Sequence, residues 1–348
     1  MHFASDNSGP VPTQVLESLA RANDGYAMAY GTDPLTEAVE QKLRNLFEAP
    51  EAAVYLTATG TSANVIALGT LVQPYQAVFC SPVAHIQEDE CNAPEFYTGG
   101  AKLVLVPGTD RMTSDALRAT IENEGNRGVH GPERGAVSIT NVTERGNVYT
   151  LAELRALTGI AKEYGLPVHL DGARFANACV ALNCTPAEMS WKAGVDVAVF
   201  GGTKNGLMGV EAVIFFDPDM ARSFAHRRKR GGHLFSKTRF LAAQMDAYLA
   251  DNLWRDLATR ANAACARLAQ GLRQSNRVVI ENDPTANMIY ASLPRAWHQR
   301  ATAAGARYHL SGGTLYNGDP DTLLTARFVT DWSMTDAQID AFLDVALP

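Results

Sequence analysis

Two short stretches carry the residue types from which covalent chemistry could be built. In Val168-His169-Leu170-Asp171-Gly172-Ala173-Arg174 an apolar run ends in an acid, two tiny residues and an arginine. Read as a strand, it delivers the carboxylate to the carboxyl end of a sheet, where open α/β sheets gather their ligands. Taken alone, Asp171 could equally be an ordinary strand-to-turn acid. In Val195-Asp196-Val197-Ala198-Val199-Phe200-Gly201-Gly202-Thr203-Lys204-Asn205-Gly206 a second apolar run feeds a lysine into a glycine-rich turn. An ammonium with little room to reach bulk water is desolvated, which lowers its pKa and suits it to imine formation. The commoner fate of a lysine is to snorkel or to bind phosphate. A Walker loop is excluded, because Gly-x-x-x-x-Gly-Lys-Ser/Thr is absent.

Together the two stretches say more than either alone. The 33 residues from Asp171 to Lys204 leave room for one crossover helix, expected at about 185–192, and the next strand, so both groups could open onto one sheet edge. An acid and a lysine there match the needs of pyridoxal phosphate: the lysine holds its aldehyde as a Schiff base, and the acid keeps its pyridine nitrogen protonated. A charge pair about 4 Å apart is worth roughly 4 kcal/mol at an effective dielectric of about 20, or about three pKa units. A third stretch, Thr57-Ala58-Thr59-Gly60-Thr61-Ser62-Ala63-Asn64, follows a strand and opens a helix. Its free N–H groups and positive helix end could cradle the phosphate, with hydroxyls from Thr61 and Ser62, though by itself it reads as a capped helix start.

The elements that must position these groups alternate along the chain. Apolar runs of four to seven residues predict strands at 52–56, 77–80, 102–106, 136–141, 167–171, 195–200 and 210–216, uninterrupted as a sheet covered on both faces requires. Thr150-Leu151-Ala152-Glu153 is a capping box, and Thr185-Pro186-Ala187-Glu188 starts a helix with proline in its first turn. This predicts an α/β fold with a mostly parallel sheet over residues 1–245. Beyond it, a long helix over 246–274, strands near 278–281, 287–292 and 325–329, and a closing helix over 333–347 predict a smaller α+β domain at 246–348.

Composition narrows the function classes. The 348 residues are 46% hydrophobic and 19% charged, as in folded globular proteins. With 30 basic and 37 acidic side chains the net charge is −7, which argues against nucleic acid or an anionic membrane as the main partner. The basic run His226-Arg227-Arg228-Lys229-Arg230 reads as a solvated face or a subunit rim. No apolar run approaches the ~18 residues of a membrane span, and the first residues lack a secretion-signal pattern, so a cytoplasmic protein is expected. Five cysteines without a Cys-x-x-Cys pair predict reduced, mostly buried thiols and no bound metal.

In sequence, Phe3-Ala4-Ser5-Asp6-Asn7, Tyr30-Gly31-Thr32-Asp33, Thr59-Gly60-Thr61-Ser62-Ala63-Asn64, Ala84-His85-Ile86, His169-Leu170-Asp171-Gly172-Ala173-Arg174, Gly201-Gly202-Thr203-Lys204-Asn205-Gly206 and Arg327-Phe328 resemble the low-specificity L-threonine aldolases, a group that includes phenylserine aldolase. The resemblance spans nearly the whole chain and implies the fold type I, aspartate-aminotransferase-like architecture of pyridoxal-phosphate enzymes. It implies cleavage of L-3-hydroxy-α-amino acids, such as threonine, to glycine and an aldehyde. Lys204 would then be the Schiff-base lysine, Asp171 the partner of the pyridine nitrogen and His85 the imidazole stacked on the ring. Gly60, Thr61 and Thr203 would bind phosphate, and Ser5, Arg174 and Arg327 the substrate carboxylate. Arg239 would reach the phosphate of a neighbouring subunit in a homodimer or homotetramer. One departure stands out: many members carry Asn-Thr-His-Asn where this chain has Asn141-Val142-Thr143-Glu144. That leaves His85 first and Glu144 second as base for the β-hydroxyl. A β-eliminating lyase of the same fold and a non-catalytic scaffold are the competing readings.

Overall fold

The structure is a computed structural model and describes residues 1–347. Among the described residues the strands form two sheets. The larger contains β1 (Ala53–Thr57), β2 (Gln76–Cys80), β3 (Lys102–Leu105), β4 (Glu133–Thr140), β5 (Val168–Asp171), β6 (Val197–Gly201) and β7 (Glu211–Phe215) in the order β1-β7-β6-β5-β4-β2-β3. Each strand expected over the first two thirds of the chain is present within a few residues. Neighbours run parallel from β6 through β5, β4 and β2 to β3, and β7 alone is reversed. This is the mostly parallel α/β sheet the sequence predicts. Its central strands are buried on both faces, as in β5, β6 and β7, because helices cover each side.

The reversal of β7 decides what meets at the site. Thr57 at the end of β1 and Gly201 at the end of β6 both lie opposite Glu211, the first residue of β7. A side chain from a strand's start therefore joins those from strand ends. Thr59 caps the helix Gly60–Leu71, accepting from the Ser62 N–H, and that helix is apolar nearly all round because it is sunk into the sheet face. The capping boxes at Thr150 and Thr185 are both formed.

Three expectations about helices are corrected. The main crossover helix between β5 and β6 is Phe175–Leu182, and the 185–192 segment supplies only the short helix Pro186–Met189 and a turn. A run of Ala, Cys and Val directly after a glycine-alanine turn hides a helix that neither periodicity nor a cap announces. The helix expected over 246–274 is broken. Arg239–Leu249 and Leu253–Leu272 meet at Asp251 and Asn252, both with left-handed backbone. The closing helix is Asp336–Ala346, capped by Thr335 with Gln338 rather than started at Ser333.

The smaller sheet, β8 (Val279–Ile280), β9 (Met288–Pro294), β10 (His309–Leu310) and β11 (Leu323–Val329), is antiparallel in the order β10-β11-β9-β8. It packs on the helices Leu253–Leu272 and Asp336–Ala346 around Leu268, Phe328 and Phe342. Phe3 belongs to that core, its ring 4.9 Å from Phe342, and its backbone bonds Arg307 and Val329. The first residues of the chain are thus strapped to the last sheet, which suspends Ser5, Asp6 and Asn7 between the two cores. The helix Leu253–Leu272 runs from one core at Trp254 and Leu257 to the other at Leu268 and Leu272.

Candidate active site

A cleft of about 310 Å³ opens at the carboxyl ends of β1, β5 and β6, lined by Gly60, Thr61, His85, Asp171, Thr203 and Lys204 together with Asn7, Asn64 and Glu211. Asp171 ends β5 and is buried. Its Oδ1 accepts from the Ala173 N–H at 3.0 Å and its Oδ2 from Asn64 Nδ2 at 3.0 Å. The small residues after it are required: a Cβ on Gly172 would stand 2.0 Å from the Val199 carbonyl, and one on Gly201 2.6 Å from that of Gly172. β5 and β6 approach so closely that Asp171 and the Lys204 turn reach one space. Lys204 itself is half-buried, on the single turn Thr203–Asn205 that follows β6.

At the opposite end, the N–H groups of Gly60 and Thr61 have no acceptor among the described residues. A Cβ on Gly60 would meet nothing within 4 Å, so the helix start is open to a bound anion. Ser62 is not available there, because its hydroxyl donates to the Thr59 carbonyl at 2.8 Å. Thr203 Oγ1 accepts from the Val210 N–H at 3.2 Å, and its hydroxyl faces the Glu211 carboxyl.

His85 begins the short helix His85–Glu88 and holds Glu90 Oε1 with Nδ1 at 2.8 Å. Burial alone would lower its pKa, but the hydrogen bond to Glu90 and the charge of Asp171 raise it above the ordinary imidazole value. The nearby His169 is fully buried against Ser138 Oγ at 3.0 Å. Burial pushes it down to about 4, which keeps it neutral, and it does not line the cleft.

Four sequence-predicted residues lie off the cleft. Arg174 is buried and grips Asp6 with two bonds, Nε to Oδ2 at 2.7 Å and Nη2 to Oδ1 at 3.0 Å. Ser5 caps the turn at Asp6 by accepting from the Asn7 N–H. Arg327, on β11, donates from Nη2 to the Ala4 carbonyl, while its buried Nε has no partner among the described residues. Arg239 donates to the Gly25 carbonyl at 3.1 Å, away from its own chain's cleft. The basic run is not wholly a solvated face either: Arg228 lies 5.3 Å over the Tyr55 ring and donates to the Leu56 carbonyl, bracing the strand that leads to Gly60.

Sequence reasoning missed Glu90, Asn64, Asp6 and Glu211. Asn64 and Asp6 stood inside quoted motifs. Glu211 could have been found as a lone acid opening an apolar strand.

The donor set fits pyridoxal phosphate: an acid at one pole, free N–H groups and hydroxyls at the other, a lysine between them and an imidazole alongside. Sheet, cleft edge and donor set together define the aspartate-aminotransferase-like class of α/β folds. Residues 2–294 match the model of the family described as Beta-eliminating lyase. The chain is 38% identical to a low specificity L-threonine aldolase of Pseudomonas aeruginosa, over 99% of this chain and 95% of that one. It is 37% identical to another from a Pseudomonas species, over 97% and 94%. Among solved structures, a threonine aldolase of Leishmania major superposes with a TM-score of 0.92 at 26% identity, covering 99% of this chain and 98% of the other. A serine palmitoyltransferase of Sphingomonas wittichii, at 16% identity, TM-score 0.72 and coverage of 99% and 86%, shares the fold. The chain belongs to the pyridoxal-phosphate-dependent β-eliminating lyase family, among its low-specificity L-threonine aldolases.

Proposed function

We propose that this chain binds pyridoxal phosphate and cleaves L-3-hydroxy-α-amino acids, threonine and allo-threonine first and phenylserine among them, to glycine and an aldehyde, and runs the reverse reaction. The observation that carries this reading is the meeting of Lys204 and Asp171 on one cleft with an open helix start at Gly60. When bound, the cofactor supplies an electron sink conjugated to the substrate α-carbon.

The chain's own residues do the rest. Lys204 would hold the cofactor aldehyde through Nζ. Asp171 would keep a proton on the pyridine nitrogen, and Gly60, Thr61 and Thr203 would bind the phosphate. Arg327 is the candidate to hold the substrate carboxylate, with Ser5 and the remaining Nη1 of Arg174 beside it. This orients the Cα–Cβ bond for cleavage. His85, through Nε2, takes the β-hydroxyl proton as the aldehyde leaves, and Glu144 is the second candidate for that step.

Two features support assembly as a homodimer or homotetramer: Arg239 does not line its own cleft, and Tyr26, Met28 and Phe235 are exposed. Arg239 then serves a neighbouring subunit's phosphate. A division into bodies 1–245 and 246–348 is supported by the second core around Leu268, Phe328 and Phe342, although Phe3 joins that core and Ala247, Trp254 and Ala258 join the first. Among the described residues no helix is long and apolar enough to cross a membrane, which is compatible with a cytoplasmic enzyme.

The deciding experiment incubates the holoenzyme with L-threonine, L-allo-threonine and L-phenylserine and identifies the products. Glycine with the matching aldehyde is expected, whereas pyruvate and ammonia would make the protein a β-eliminating lyase. Lys204→Ala should lose the visible imine band and nearly all turnover; an unchanged spectrum would remove Lys204 from its role.

A further inference from the structure

Glu90 is a buried acid to which the reaction described above gives no task. It is 4% exposed, and the chain places it there by a costly turn: the next two residues, Cys91 (φ 49°) and Asn92 (φ 59°), both take left-handed backbone. Asparagine tolerates that conformation, whereas a cysteine rarely adopts it. Backbone held against its preference marks a position that the surroundings demand.

The surroundings here are polar and close. Glu90 Oε1 accepts from Asn64 Nδ2 at 3.0 Å and meets His85 Nδ1 at 2.8 Å. The same Asn64 nitrogen donates to Asp171 Oδ2 at 3.0 Å. An amide nitrogen carries two hydrogens, so Asn64 serves both carboxylates at once, and it can do so only while both present an accepting oxygen. Burial raises the Glu90 pKa, while the hydrogen bonds of His85 and Asn64 oppose this. Ionised, the carboxylate has nothing to donate; protonated on Oε2, which has no partner among the described residues, it still accepts through Oε1. The proton between Glu90 and a neutral His85 therefore sits on Nδ1, and the lone pair of that ring lies on Nε2.

We infer that Glu90 is a positioning residue for His85: it fixes the imidazole with Nδ1–H turned inward and Nε2 bare, and through Asn64 it ties that ring to Asp171. The functional half of this inference rests on His85 being the base proposed above. The charged groups that face the imidazole are Glu90 from its own loop, Asp171 from the end of β5, Lys204 from the turn after β6 and Glu144 from the loop after β4. Those that face Glu90 are His85 and Asp171. The hydrogen bond to Glu90 and the pull of Asp171 outweigh burial and the opposing Lys204, so the ring keeps its proton more readily than an exposed histidine would.

Glu90→Gln separates charge from shape, since glutamine keeps the size and can still accept one N–H. Nitrogen and carbon NMR of the apoprotein imidazoles reads the result, with the His85 signals assigned by their loss in His85→Asn. The variant is expected to lower the His85 titration midpoint by about one pH unit, a tenfold loss of proton affinity, and to mix its tautomers. An unmoved midpoint with an unmixed tautomer overturns the inference. Should Glu90→Gln not fold, the wild-type apoprotein decides alone: a neutral His85 protonated on Nδ1 sustains the assignment, and one protonated on Nε2 ends it. In the holoenzyme the acid limb of kcat/KM for L-threonine should move down by the same unit, with the visible cofactor band retained. A shifted imidazole with an unmoved acid limb would dismiss His85 as the base while leaving the hold of Glu90 standing, so the two readings fail separately.

Discussion

Glu211 shows how far a single side chain can be bent by its place. It is 4% exposed, its Oε2 accepts from the Gly202 N–H at 2.8 Å, and burial raises its pKa to about 7 against the opposing pull of Thr203, Gly202 and Lys204. The ordinary value is 4.5, so the unfolded chain ionises before the folded one does. Below pH 4.5 Glu211 costs nothing. As pH rises toward 7 the folded protein loses stability, and above 7 the full cost, about 3 kcal/mol, is in place. Glu211→Gln should therefore stabilise the apoprotein by most of that amount at pH 8 and by little at pH 5. Denaturant midpoints at the two pH values check this, and a gap that does not grow with pH would show that the carboxyl is ionised throughout. Residue chemistry of this kind was half legible beforehand. Asp171 and Lys204 are legible because each follows an apolar run to the sheet edge, whereas Glu211 opens a strand and reads as part of its boundary.

Elements deliver these groups, and the least regular of them do most of the delivery. The helix Gly60–Leu71 and the turn at Lys204 follow strands and could be read from their caps and glycines. The turn after the short helix His85–Glu88 could not, because nothing in Asp89-Glu90-Cys91-Asn92 announces two successive left-handed residues. Cys91 is exposed, so its side chain has little packing to lose. Cys91→Gly should relieve the backbone and raise stability by about 1 kcal/mol, measured by chemical denaturation, with kcat/KM unchanged. A loss of stability instead would mean that the cysteine side chain holds the turn. The broken helix at Asp251 and Asn252 teaches the same lesson. An Ala/Leu/Arg-rich stretch reads as one helix until packing against two different cores bends it.

At the scale of the whole molecule, one buried ion pair ties the parts together. Asp6 comes from the opening strap, Arg174 from the start of the crossover helix, and Asn287 beside β9 donates to Asp6 Oδ2 at 3.1 Å. Burial pushes the Asp6 pKa up, but Arg174, and more weakly Lys204, outweigh this and hold it below the ordinary 3.8. The pair's stabilisation is therefore present above pH 3.8 and disappears as pH falls through the lowered folded value. Asp6→Ala would strand the Arg174 charge in the interior and should cost about 3–5 kcal/mol. Its unfolding should also lose the steep dependence on acid expected of the wild type. Equal acid sensitivity in both would place the responsible carboxylate elsewhere.

The sequence by itself determined the alternation of strands and helices, the mostly parallel sheet, and the acid, the lysine and the glycine-threonine helix start that meet at the cleft. All of these are written in local order: apolar runs, caps and glycine turns act on their immediate neighbours. Tertiary structure alone decided that β7 runs backwards and brings Glu211 to the cleft, that Arg174 faces Asp6, and that Asn64 joins Glu90 to Asp171. The side-chain bonds of Arg174 to Asp6 and of Asn64 to Glu90 and Asp171 link residues 26 to 168 positions apart. Distances across that much chain are set by how whole layers pack, which no local pattern encodes.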